Sequence, residues 1–356
     1  MFYIFIIIII VGVILNSLCK KYALDKVHYS RSISAKYVEC GEKFNIVTSV
    51  ENRKMLPVTF LQVKEYVGES KIYNCSNMMI LPYQRVTRTY EKSLDKRGRY
   101  YLRKVDITAG DFIGIDVVTK SQDFEDEIIV YPKPMDIDND MDEIGEFIGE
   151  TSVKRWIVED PIVTMGIREY TGVEPEKNIH WPSSLRTGQL MVRNFDFTSD
   201  NSVFIILNID ENKDLWIGTD EENIEKCYSL VRTLIDDFEE AKVKYGFITN
   251  ATGINKNGYV APSLGESHYF EMLNNLGTAC SITSMNFTSL INTTIEYHLD
   301  CRTIVIVTPV IPAESVSEIN KLASYVEKNI VFSMRGENIE KLDDNIVKFV
   351  LGCENI

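Results

Sequence analysis

The chain has 356 residues, 45% of them apolar, and a formal net charge of −14. This excludes disorder as the main state, allows about two domains, and opposes whole-protein attraction to nucleic acid or anionic lipid. The charge is uneven: residues 1–131 carry 19 basic and 15 acidic side chains, residues 132–356 carry 19 and 37, so a domain boundary is expected near residue 131.

From Phe2 to Leu18 runs a stretch of 17 residues without charge, interrupted by Asn16 and Ser17. As a helix it would be about 26 Å long, within the spanning range. It lacks the basic start and small-x-small cleavage site of a signal peptide, and Leu18 stands where a lipoprotein signal needs a small residue before Cys19. Lys20, Lys21, Lys26 and Arg31 all follow the run. The positive-inside rule therefore predicts a transmembrane anchor over residues 1–19, a single-pass protein of the cell membrane with its body in the cytoplasm. Seven scattered cysteines without a CxxC pair fit neither a disulfide framework nor a zinc site.

Residues 27–131 read as strands: KFNIVTSVEN, VTFLQVKEYV, RVTRTYEKS, RYYLRKVDITA and EIIVYP alternate apolar with polar residues between turn signals. A β-sandwich-like module is expected. Residues 132–165 read as an acidic linker. Its Asp136, Asp138 and Asp140 are not a calcium loop, because Met141 replaces the turn glycine and Phe147 the closing glutamate. After residue 200, strands alternate with helices. SVFIILNI is a buried strand, and residues 221–241 place Ile224, Cys227, Tyr228, Val231, Leu234, Ile235 and Phe238 on one helical face. Further strands are expected at VKYGFIT, TIVIVTP and NIVFSM, with helices near 266–276, 286–298, 313–328 and 338–350. This alternation predicts a doubly wound α/β domain with a mainly parallel sheet.

Between these regions, residues 166–196 hold Arg168, Glu169 and Tyr170, then Ile179 and Trp181, then Arg186, Gly188, Leu190 and Val192. Upstream, RGRYYLRKVDITAGDFIGI supplies Arg97, Gly98, Tyr100, Gly110, Asp111 and Gly114. In these two motifs the chain resembles the bacterial domain-of-unknown-function family fifty-eight, over most of its length beyond the anchor. It departs from the family pattern at Gly172, which comes one position early, at Glu174 for Asp, at Lys177 for Arg, and at Leu185 for Ala. Two readings of the motif follow. Arg168, Glu169, Glu174, Lys177 and Arg186 can form an ion-pair network that buttresses Trp181, or Trp181 and Arg186 can serve as contact anchors. The alternating charges favour the network.

The resemblance implies a von Willebrand A-like domain over residues 166–356, including the motif, and with it a divalent-cation site such as Mg²⁺ at the carboxyl end of the sheet. The corresponding residues are Asn208-Ile209-Asp210-Glu211-Asn212, and Thr308-Pro309 follows a later strand. An amide replaces the first carboxylate, and no aspartate follows TIVIV. Asp210, Asn212 and Thr288 are the remaining candidate ligands, and a degenerate site without metal is the expectation.

None of His28, His180, His268 and His298 sits in a nucleophile signature, and there is no P-loop or Gly-x-Ser-x-Gly elbow. No catalytic residue is assigned, and the basic RGRYYLRK stretch reads as a strand rather than a nucleic-acid site. The family resemblance implies a protein partner, a MoxR-type AAA+ ATPase. The expected function is that of a membrane-anchored, non-enzymatic adaptor in chaperone-like assembly or cell-envelope processes. The alternative is a metal-dependent adhesion or ligand-binding domain.

Overall fold

The computed structural model describes residues 20–68, 71–110, 116–135, 164–170, 179–195, 202–211, 221–254, 258–297 and 301–351, and scattered positions before residue 20. The chain divides into two compact units, Met1–Pro132 and Lys133–Ile356.

Among the described residues, the first unit has the strands β1 (Val27–Ile33), β2 (Tyr37–Glu39), β3 (Lys43–Asn52), β4 (Val58–Val67), β5 (Lys71–Ile80), β6 (Arg85–Ser93), β7 (Gly98–Gly110) and β8 (Val117–Tyr131). They form a three-stranded sheet in the order β1-β3-β6 and a five-stranded sheet in the order β2-β8-β7-β4-β5. All pairings are antiparallel except that of β2 with β8. Alternation explains the packing. In β3, Phe44, Ile46 and Val50 point inward while Lys43 and Asn45 are exposed. Tyr29 and Val50 of the smaller sheet join Leu61, Val63, Val105 and Ile107 of the larger one in a single apolar cluster. Phe44 and Ile46 meet Leu102, Ile128 and Val130 in a second. Each fully buried side chain of this kind stabilises by about 1.5–3 kcal/mol.

The second unit begins with β9 (Thr164–Glu169), α1 (Trp181–Thr187) and β10 (Met191–Phe195), the two strands pairing antiparallel. There follow β11 (Ser202–Leu207), α2 (Glu221–Glu240), β12 (Lys244–Thr249), β13 (Tyr259–Ser263), α3 (Glu266–Thr278), α4 (Phe287–Glu296), β14 (Thr303–Thr308), α5 (Val316–Ala323), β15 (Lys328–Ser333) and β16 (Ile346–Val350). Their six-stranded sheet has the order β13-β12-β11-β14-β15-β16. Only the β12–β13 pair is antiparallel. Every residue of β11 and β14 is buried, because helices cover both faces. Val203, Ile205 and Leu207 pack with α2 and α3 on one face, and Phe204 and Ile206 with α4 and α5 on the other. Gly246 in β12 is required by this packing, since a Cβ there would lie 2.7 Å from Cδ2 of Phe204.

Several expectations need correction. No helix among the described residues is long and apolar enough to cross a membrane, which overturns the N-terminal anchor and the single-pass membrane location. The apolar run is at the short end of the spanning range, and the chain right after it belongs to the β-unit. Lys20 pairs with Asp116 at 2.7 Å, Ala23 is buried, and Nζ of Lys54 donates to the carbonyls of Ala23 and Asp25. The fold class is corrected with it, for 44% of the described residues lie in strands, spread over several sheets.

β9, β10 and β13 were not expected. The helix expected over 338–350 is instead a single 3₁₀ turn, Ile339–Lys341, followed by β16. Leu342 is extended, with φ −73° and ψ 151°, which ends the turn, and the Ile-Val-Lys-Phe-Val sequence then pairs parallel with β15. Most of the acidic linker lies outside the described residues.

Candidate functional site

The carboxyl end of the second unit's sheet is where loops from parallel strands converge, and β11 and β14, whose connections leave in opposite directions, are neighbours there. Asn208, directly after β11, is fully buried. Its Nδ2 donates to the Asp210 carbonyl and to Oγ1 of Thr308, both at 2.9 Å. Its Oδ1 accepts from the Asp210 amide at 2.9 Å and from Nδ2 of Asn250 at 2.7 Å. All four hydrogen-bonding positions of the amide are thus filled. Asn250, the residue after β12, accepts from the Ile209 amide at 3.0 Å and donates to the Met285 carbonyl at 3.2 Å. Thr308 donates to the Val310 carbonyl at 2.6 Å.

This amide–hydroxyl lattice occupies the place where the expected cation site would stand. Oδ2 of Asp210 accepts from the Phe287 amide at the start of α4, at 3.2 Å, and Oγ1 of Thr288 lies 3.0 Å from Oγ of Ser315. Asn212 lies outside the described residues. Among the described residues no group of three or more His, Cys, Asp or Glu is placed to hold a metal ion. Amide N–H groups repel a cation, so this donor set suits loop fixation and does not fit Mg²⁺. Sequence reading missed Asn250 and Ser315; the only local signal is a polar Thr-Asn pair where an apolar strand ends.

The motif segment is organised around α1. Nδ1 of His180 caps the helix, accepting from the Ser183 amide at 3.3 Å and lying 2.9 Å from its hydroxyl. Pro182 suits the first turn, and Gly188, at φ +74°, closes the helix by donating to the Ser184 carbonyl. The Ser184 hydroxyl accepts from the Met191 amide at 2.8 Å, and the His180 amide donates to the Met191 carbonyl at 2.7 Å. Ile179 and Val192 bridge and are buried. The His–Ser contact is therefore part of a helix cap.

On this scaffold Trp181 is 60% and Leu185 84% exposed. They stand four residues apart on one helical face. The Trp181 ring thus faces outward. Arg168, Glu169 and Arg186 are exposed and Tyr170 is half-buried. Nη1 of Arg168 lies 3.4 Å from the Glu169 carbonyl. Glu174 and Lys177 lie outside the described residues, as do Gly172, Asp111 and Gly114. In the upstream motif, Arg99 and Arg103 both cover the Tyr101 ring, at 5.1 and 4.0 Å, and Arg99 pairs with Glu127 at 2.6 Å.

Comparison with known proteins adds little to this geometry. No family model matches the chain. The uncharacterized protein YeaD of Bacillus subtilis (strain 168) is 18% identical over 266 residues, covering 72% of this chain and 64% of its own length. The match thus spans less than two thirds of that relative. Among solved structures, the CARDB domain of the PF1109 protein from Pyrococcus furiosus covers 27% of this chain and 90% of its own, at 14% identity and a TM-score of 0.21. The C-terminal domain of wzt covers 31% and 75%, at 11% identity and a TM-score of 0.25. These likenesses are too slight to assign a family or an activity.

Proposed function

We propose that this protein is a non-enzymatic interaction protein, an adaptor that engages a protein partner through the α1 surface. The observation that carries this reading is the outward display of Trp181 and Leu185 on a helix held rigid by its cap and by β10. A large aromatic side chain fixed in the open, with Arg186 on the same short helix, has the composition of a binding hot spot. The net acidity of residues 132–356 favours a basic partner surface and speeds encounter with it. A MoxR-type AAA+ ATPase is the partner that the family resemblance implies.

The test is retention of a purified MoxR-type ATPase on the immobilised full chain in the presence of nucleotide. Retention is expected, and Trp181→Ala with Leu185→Ala is expected to weaken it by about tenfold or more. The unfolding midpoint should not move, since both side chains are exposed. Failure to retain the ATPase, or equal retention by the variant, overturns the reading.

A further inference from the structure

The outer face of the β1-β3-β6 sheet carries a cavity of about 370 Å³ lined by polar and charged residues. Strand register explains its form. His28 of β1, Glu51 of β3 and Arg85 of β6 are aligned across the sheet, and Ser30, Ser49 and Thr87 form the next outward row. Short hydroxyl side chains make the floor, and longer charged ones, with Arg53 from the loop after β3, make the wall. Thr87 donates to the Ser49 hydroxyl at 3.3 Å.

Glu51 is the one acidic group among the described residues of this lining, and both guanidinium groups hold it. Oε2 of Glu51 accepts from Nε and Nη2 of Arg53 at 2.9 and 2.8 Å, and from Nη2 of Arg85 at 3.1 Å. The arginines keep its carboxyl below the usual carboxylate range. A guanidinium has five N–H donors, so each arginine keeps donors that Glu51 does not use. One carboxylate thus positions two cations beside a row of hydroxyls, with an imidazole at the same end.

We propose that this face is a binding site for a phosphoryl group. A tetrahedral oxyanion takes hydrogen bonds from guanidinium and hydroxyl donors together. The lining carries more cationic than anionic groups, which disfavours a metal ion, and the lining residues described include no Phe, Tyr or Trp on which a sugar would stack. The space admits a phosphate monoester as well as the free anion. The site lies in the first unit and is independent of the α1 surface.

The experiment is calorimetric titration of the full chain at low ionic strength with O-phospho-L-serine, inorganic phosphate and L-serine. Saturable binding is expected for the two phosphate-bearing probes and none for L-serine. Arg53→Gln with Arg85→Gln is expected to weaken binding by about tenfold or more, since each removes charge-assisted hydrogen bonds. Arg53→Gln alone, at an exposed loop position, keeps the test open if the pair disturbs folding; a several-fold loss is expected from it. Tighter binding of O-phospho-L-serine than of phosphate assigns the site to phosphorylated side chains, and equal binding assigns it to free phosphate; both support the phosphoryl site. Absence of saturable binding, saturation by L-serine, or unchanged affinity in the arginine variants overturns it. The Trp181 and Leu185 substitutions leave this binding intact, which separates its failure from failure of the adaptor reading.

Discussion

Glu65 in the first unit and Asn208 in the second are both fully buried, yet different chemistry satisfies them. Oε1 of Glu65 accepts from the Tyr29 hydroxyl, and Oε2 from the Tyr90 hydroxyl and from Nδ2 of Asn74 at 2.7 Å. Beside it, the buried Arg31 guanidinium reaches Asp126 at 2.6 Å, the Leu102 carbonyl at 2.5 Å and the Tyr73 hydroxyl at 3.3 Å. Burial and the neighbouring Glu65 push the phenols of Tyr29 and Tyr73 up, the latter to about 12. Asn208 is held instead by neutral amides and a hydroxyl. The first cluster draws on both sheets of its unit, through Tyr29 and Tyr90 on one side and Glu65 and Asn74 on the other. The second joins the loop ends of a single sheet. A buried ionisable group is therefore used where two layers must be registered, and a neutral one where neighbouring loops must be fixed.

The largest expected effect breaks the first cluster. Glu65→Ala leaves two tyrosine hydroxyls and an asparagine amide without their acceptor and opens a cavity, at a cost of about 4 kcal/mol. Hydrogen exchange in β1 and β6 during urea unfolding measures it. A loss below about 1 kcal/mol would show that the carboxyl group is dispensable.

Next comes Asn208→Asp, which replaces two N–H donors by lone pairs facing the Asp210 carbonyl and Thr308, and is expected to cost about 2 kcal/mol. Thermal unfolding with and without millimolar Mg²⁺ sharpens the contrast. No recovery in Mg²⁺ is expected; full recovery would mean that the loops still form a cation site.

The smallest effect is at Asp237 on α2, whose buried Oδ2 has no hydrogen-bond partner among the described residues. Burial first, then Asp236 and Glu240, raise its carboxyl to about 6. The folded state binds this proton more tightly than the unfolded chain does, where a value near 3.9 applies. Stability from this group is complete below about pH 4 and declines as pH rises toward 6. Asp237→Asn removes the decline and is expected to gain about 1 kcal/mol at pH 7, once partial exposure is discounted. Urea midpoints at pH 4 and pH 7 check the sign: the gain should vanish at the lower pH.

Local pattern made much of the molecule legible. The seven apolar residues expected on one face of α2 are all buried there, and β3, β4 and β6 coincide with the alternating segments read as strands. β5 was missed because its Asn, Ser and Cys residues interrupt the alternation, and β16 because five residues do not separate a strand from a helical turn. At the site, Oδ2 of Asp210 meets the Phe287 amide and the Thr288 hydroxyl meets Ser315, so these polar atoms serve the loops. The exposure of Trp181 had no local signal, because alternation of charge along the chain does not say which side chains turn inward.

Composition, periodicity and charge placement are properties of neighbouring residues, and the amino-acid sequence by itself determined them: the acidic second half, the buried strand runs and the amphipathic α2. Tertiary structure alone decided which distant polar groups meet. Asn208 reaches Asn250 across 42 positions and Thr308 across 100, and Glu65 finds Tyr29 and Tyr90 across 36 and 25. Those pairings follow from strand order and register, which depend on how whole sheets bury their apolar faces and leave no mark in the residues flanking each partner.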